Sequence, residues 1–358
     1  MTWDPGSLAQ IGITDQLADL PSTLSLWDTA FLIPALAIWM IFYRERGRYT
    51  QFARGVGSVL FGFFWFGQMY TYLWGNHKDP VNGLLSGLGI LFFIFVAYHL
   101  FLDHLWKERT KSLVWLVRTA AITGSLYFVF EHILVTRGAL IYLVSWFTYY
   151  VLVLLGNNVS IESGFPIEYG DGLTITSNYD IHSGMGGIPP ISIVFACTAA
   201  LALSLFTAAV IATKTDRSEW EGWAKKEIRR TKGSDNLRDR FHRNGIINTY
   251  RMSDKKRKAY ALLTVIPIIF VTNIFRNVGI VSAVYSDLVP FELAHNYLAK
   301  ALSLGMMMFL TWLLFEYLPE LQENLMGLFD LFKRDRKGMI VNGRLDMKYV
   351  RGGKPSDD

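Results

Sequence analysis

Eight apolar runs punctuate the chain, at about 29–43, 55–74, 84–102, 113–135, 138–156, 191–213, 260–281 and 296–315, and nearly all are free of charge. A crossing of the bilayer core takes roughly 20 helical residues. Inside hydrocarbon a spanning segment must pair its own backbone groups, so the runs predict helices. The fold class this implies is an all-α polytopic membrane protein.

The polar intervals set the orientation, because Lys and Arg collect in short cytoplasmic loops. The first 28 residues hold four Asp and no cation, which places them outside; the basic start of a cleavable signal peptide is missing there. Arg44, Arg46, Arg48 and Arg54 put the next loop inside, and the turn at 75–83, with only Lys78, fits outside. Lys107, Arg109 and Lys111 return the chain to the cytoplasm. The loop 214–258 carries 15 Lys and Arg against seven Asp and Glu, so it is expected inside, as is the tail with eight cations from Lys333 to Lys354. The loop 157–190 has four acids and no Lys or Arg, and is expected outside.

Between Lys111 inside and Asn157 outside lie two runs where one crossing suffices. We take 113–135 as the span, with Arg118 snorkelling to the inner face. The run 138–156 is then re-entrant or lies along the outer interface. The reverse assignment stays open, since Arg118, Glu131 and His132 make 113–135 the less apolar run. The expectation is about seven crossings plus one re-entrant or interfacial segment, with the N-terminus outside and the C-terminus in the cytoplasm. Three regions follow: an N-terminal membrane region at 1–112, a core at 113–317 with the basic insertion 214–258, and a basic tail at 318–358.

In the external loop, Val159-Ser-Ile-Glu and Gly172-Leu-Thr-Ile-Thr-Ser alternate apolar and polar residues, separated by Gly164-Phe-Pro and Tyr169-Gly-Asp-Gly. That predicts a small β-hairpin just before the segment that carries the cysteine. The basic loop reads as one or two short amphipathic helices, with Trp220, Trp223 and Ile228 suited to an anionic inner leaflet.

Composition agrees with the pattern: 51% of residues are apolar, 15% aromatic and 18% charged. The net charge of +5 does not suggest nucleic acid, since the cations sit in loops. A single cysteine excludes a disulfide framework and a cysteine-based metal site, and the seven histidines show no metal-ligand spacing. Neither a metal nor a cofactor is expected.

What remains is a set of chemically capable residues beneath the outer surface. Cys197 falls near the start of the run 191–213, which is expected to be a membrane helix. By itself it reads as a small packed hydrophobe. Asn273 and Arg276, three apart, share one face of the helix at 260–281, about 9 Å short of its outer end. His295 opens the last span, about 7–8 Å along from Pro290. Three helices thus deliver a thiol, a guanidinium and an imidazole to one depth, and an intramembrane ionisable group is costly enough to imply function. Burial in apolar surroundings disfavours a thiolate, and a cation or base beside it restores one. His295 suits proton transfer; Arg276 suits stabilising a thiolate or an oxyanion.

Ala-Cys197-Thr198 opening a membrane segment, Pro267 followed by Asn273-x-x-Arg276-Asn277, and His295 heading the last span together resemble the exosortase/archaeosortase family of membrane cysteine transpeptidases. The resemblance covers roughly 113–317 and is strongest over 191–213 and 260–300. It implies Cys197, Arg276 and His295 as catalytic residues, with Asn273, Thr198 and Glu131 in support. It implies a plasma-membrane protein cleaving C-terminal sorting signals of secreted proteins, each a short motif, a hydrophobic helix and a basic cluster. Cleavage at the outer face would leave a thioester on Cys197, resolved by a membrane lipid acceptor or by water. Members with Arg in place of His295 imply an electrostatic role for that position instead. Two departures stand out: Ala199 replaces a usual glycine, and the insertion 214–258 is long.

Two other readings compete. His182-Ser183-Gly184 invites an intramembrane serine protease, but Ile181 stands where that motif needs glycine. A transporter or lipid-binding protein would also have many helices and buried charges, and would leave Cys197 without a role.

Overall fold

The computed structural model describes the backbone of residues 27–338 except 45–46, 75–78, 165–166, 170–172, 176–177, 184–190, 194, 216, 235, 238, 241–242 and 244–251, and leaves further side chains undescribed, including all of 162–190. The protein is an all-α polytopic membrane protein with a small β element. Among the described residues, five helices are long and apolar enough to cross a membrane. They are α3 (Pro80–Trp106), α4 (Lys111–His132), α5 (Leu134–Leu154), α8 (Asp254–Tyr285) and α10 (Ala299–Tyr317). Helix α2 (Thr50–Trp74) has the length, at 25 residues, but glycine, tyrosine and tryptophan dilute its hydropathy. Two apolar helices are shorter: α1 (Ile33–Ile41), entered through a π-helical turn, and α6 (Ala200–Ala212). The polar helices are α7 (Arg217–Thr231) and α11 (Pro319–Gly338), with a three-residue α9 (Phe291–Leu293) before α10.

The chain divides into two compact units. Among the described residues, one takes in 27–125, Ile211–Lys214 and 320–338; the other takes in Leu126–Val210 and Thr215–Pro319. In the first, α2 lets α1 approach closely because its contact positions are glycines. A Cβ on Gly57 would stand 2.6 Å from the Trp39 indole nitrogen, which donates to the Arg54 carbonyl at 3.1 Å. Arg118 is not extended toward water as expected: only 8% exposed, it donates from Nε to the Tyr43 carbonyl at 3.1 Å and lies over that ring. An arginine held by a free helix-end carbonyl has no need to snorkel. Buried Asp103 accepts from Thr110 and pairs with Arg334 at 2.8 Å, tying α11 to the turn between α3 and α4.

The second unit holds every residue of the expected site. Its sheet corrects the expected hairpin. β1 (Val159–Gly164) pairs with β4 (Asn178–Ser183), and β5 (Ile191–Ile193) pairs with the other side of β4, all antiparallel. The Leu-Thr-Ile segment, expected opposite Val159, instead forms β3 (Leu173–Ile175) against β2 (Ile167–Tyr169). The shorter loop wins that pairing because closing it costs less chain entropy.

Two helix expectations also change. The run 138–156 falls on an unbroken helix of 21 residues, Leu134–Leu154, which overturns a re-entrant hairpin and is compatible with a crossing or an interfacial helix; it passes the same length and composition criterion as α4. Ile133, with extended backbone angles, separates the two helices. The run 191–213 is not one helix: strand β5, a 3₁₀ turn at Phe195–Thr198 and only then α6 share it. Strand pairing to β4, a contact distant in sequence, takes the first three residues out of the helix.

Candidate functional site

Cys197 therefore sits in the 3₁₀ turn, not on a membrane helix. The turn is closed by Thr198, fully buried, whose hydroxyl donates to the Phe195 carbonyl at 2.7 Å. The next residue, Ala199, has φ +59°, and its carbonyl accepts from Leu203 to start α6. The left-handed region costs an L-residue other than glycine roughly 1–2 kcal/mol. Ala199 thus stands where glycine alone is unstrained. Ala199→Gly is expected to raise stability by about 0.5–1 kcal/mol, the relief of strain being partly offset by glycine's freedom in the unfolded chain. Chemical or thermal denaturation in detergent checks this; an unchanged or lowered midpoint contradicts it.

The kink exposes the Cys197 carbonyl to α8, and two asparagines take it. Asn273 donates from Nδ2 at 2.6 Å and Asn277 from Nδ2 at 3.2 Å. The two are four apart on one helix face and nearly buried, 5% and 4% exposed. Asn273 also accepts from Arg276 Nη1 at 3.2 Å, so one amide joins the cysteine's backbone to the guanidinium. Arg276 Nε is enclosed and has no hydrogen-bond partner among the described residues. A buried donor left unpaired is costly, which leaves Arg276 with capacity for a ligand atom.

The Cys197 side chain is buried with Val144, Leu152, Ile191, Ile193, Ile274, Val278 and Val281. Phe195, two residues earlier, packs with Ile141 and Ala200. Its ring meets Tyr127 at 5.7 Å, and the Arg137 guanidinium lies 5.8 Å from its centre. Glu131 accepts from the Tyr127 hydroxyl at 3.5 Å and lies 3.8 Å from His132, and Tyr127 and Phe195 link it to the cysteine turn.

His295 lies in a π-helical turn, Ala294–Leu298, and its ring stacks on Phe291 at 5.2 Å. Its neighbour Ala294 packs with Ile280, one turn of α8 beyond Arg276. The structure thus joins Cys197, Asn273, Asn277 and Arg276 by hydrogen bonds, and carries His295 on the segment that packs next along α8. Asn277 as a clamp and Arg137 as a second guanidinium were missed from sequence. The i, i+4 spacing of Asn273 and Asn277 could have found the first; Arg137 lies one residue outside an apolar run.

Family models, curated proteins and solved structures were all compared with the chain, and none matches.

Proposed function

We propose that the protein is a membrane cysteine peptidase or transpeptidase of the exosortase/archaeosortase type. The observation that carries the reading is the clamp: the backbone carbonyl of the chain's only cysteine is held by two buried asparagines, one of which also holds an arginine whose Nε has no partner among the described residues. Packing alone would give a small hydrophobe no reason to spend three polar side chains within a membrane protein.

In this reading the Cys197 thiolate attacks a peptide carbonyl, and the new C–S bond places negative charge on the carbonyl oxygen. Arg276 stabilises that charge, while Asn273 fixes both nucleophile and arginine. His295 returns the proton taken from the thiol to the leaving amine, the C–N bond breaks, and a thioester remains on Cys197. An amine-bearing membrane lipid or water then attacks the thioester and frees the cysteine. The substrates are secreted proteins with a C-terminal hydrophobic helix. No metal or cofactor enters the scheme.

The test is made in the source cell, with the chromosomal gene changed to Cys197→Ala. Uncleaved precursors sharing a C-terminal motif, helix and basic cluster should accumulate in the membrane. A proteome with unchanged C-termini would remove the reading.

The proposed setting is the plasma membrane with the site near the outer face, motivated by 15 cations in 214–258 and none in 157–190. Single cysteines at Ser160 and Asn236, both exposed, in a Cys197→Ser background should label with an impermeant reagent from outside and inside respectively. Labelling of both from the same side would refute the orientation.

A further inference from the structure

The strand that leads into the cysteine turn lies at the end of a sheet. In the order β1–β4–β5, β5 is paired on one side only among the described residues. Its backbone, Ile191–Ile193, therefore presents N–H and C=O groups along an edge that ends four residues before Cys197. Native proteins cover such edges or use them, because an unpaired edge is a template for another strand.

A second feature of the same region points to a ligand. Ser145 and Thr148 of α5 are fully buried, and neither hydroxyl has a partner among the described residues. At 100° per residue they share a helix face with Ile141, Val144 and Leu152. Those three residues belong to the apolar clusters that hold Phe195 and Cys197. With Arg276 Nε, these are three polar groups without a partner among the described residues, on the two helices whose apolar residues pack against the turn that β5 enters.

We propose that β5 is the docking edge for the substrate. An apolar peptide segment, unwound from its helix, adds to β5 as a further strand and so presents a carbonyl to Cys197. The proposal rests on the peptidase reading and deepens it. A helical segment hides its carbonyls in i→i−4 bonds, so attack by a thiolate requires local unwinding. Every N–H and C=O released in apolar surroundings must then find a partner. Strand addition supplies partners to every second residue of the added segment, and Ser145, Thr148 and Arg276 offer further polar groups in the same region for those the edge does not reach. Main-chain pairing is also indifferent to side chains, which suits a recognised class of apolar segments rather than one sequence.

The test uses full-length Cys197→Ala protein in lipid nanodiscs. The probe is a fluorescent synthetic peptide copying the cleavage region of a precursor that accumulates in Cys197→Ala cells. Its amides are N-methylated one at a time and binding is read by anisotropy. Strand addition predicts that affinity falls about tenfold or more at every second residue and little between them. Losses recurring every three or four residues, or none, while the parent peptide binds, would overturn the docking edge alone. If no precursor accumulates, or the parent peptide fails to bind, the peptidase reading falls and the docking edge with it.

Discussion

Under the proposed peptidase function, cells carrying Cys197→Ala are expected to lose all processing of C-terminal signals while keeping normal amounts of the protein in the membrane. The loss is complete because no second cysteine exists to substitute. The protein survives because the exchange removes one sulfur atom from a cluster otherwise made of valine, leucine and isoleucine. The asparagine clamp holds the backbone carbonyl, which alanine retains. Cys197→Ser, which keeps size and polarity, should be as inactive, since a hydroxyl is a far weaker nucleophile without a strong base. Precursor accumulation by quantitative proteomics and membrane abundance by immunoblot separate loss of chemistry from loss of fold.

The second large effect concerns the clamp. Among the described residues, Asn273 makes two contacts, one to the Cys197 carbonyl and one to Arg276, whereas Asn277 makes only the first. Asn273→Leu should therefore lower kcat about 10²-fold with KM nearly unchanged, because nucleophile and guanidinium both lose their register. Asn277→Leu, leaving Asn273 in place, should cost only about tenfold. Arg276→Lys keeps the charge but loses the planar fork that holds Asn273 while leaving a donor for a ligand atom, and should lose most activity. His295→Arg separates proton transfer, which it abolishes, from a purely electrostatic role, which it preserves. Equal losses for the two asparagine variants, or losses confined to KM, would contradict the positioning role.

Much of the fold was legible because helix periodicity and charge-free length are local signals. The runs at 84–102 and 260–281 lie within long apolar helices, and those at 113–135 and 296–315 overlap such helices over 113–132 and 299–315. The pair Asn273 and Arg276 was legible for the same reason: three residues apart on a helix means one face, and the structure bonds them. The cysteine turn was not legible. Ile191 to Thr213 contains no charge, so it looks like one span, and what interrupts it is pairing between Ile191–Ile193 and β4. That contact depends on the strand Asn178–Ser183, whose alternation begins on a polar residue and did not stand out. The strained conformation of Ala199 carried no signal in composition or periodicity, because alanine is a helix former at any other position in such a run.

The central claim is that Cys197 forms a covalent acyl bond with its substrate, and intact-mass spectrometry of the full-length protein tests it most directly. Purified protein mixed with precursor peptide and quenched in acid should carry the peptide's N-terminal fragment on Cys197, in an adduct released by hydroxylamine. Peptide cleaved without any adduct, and at the wild-type rate by the Cys197→Ala protein, would contradict the account.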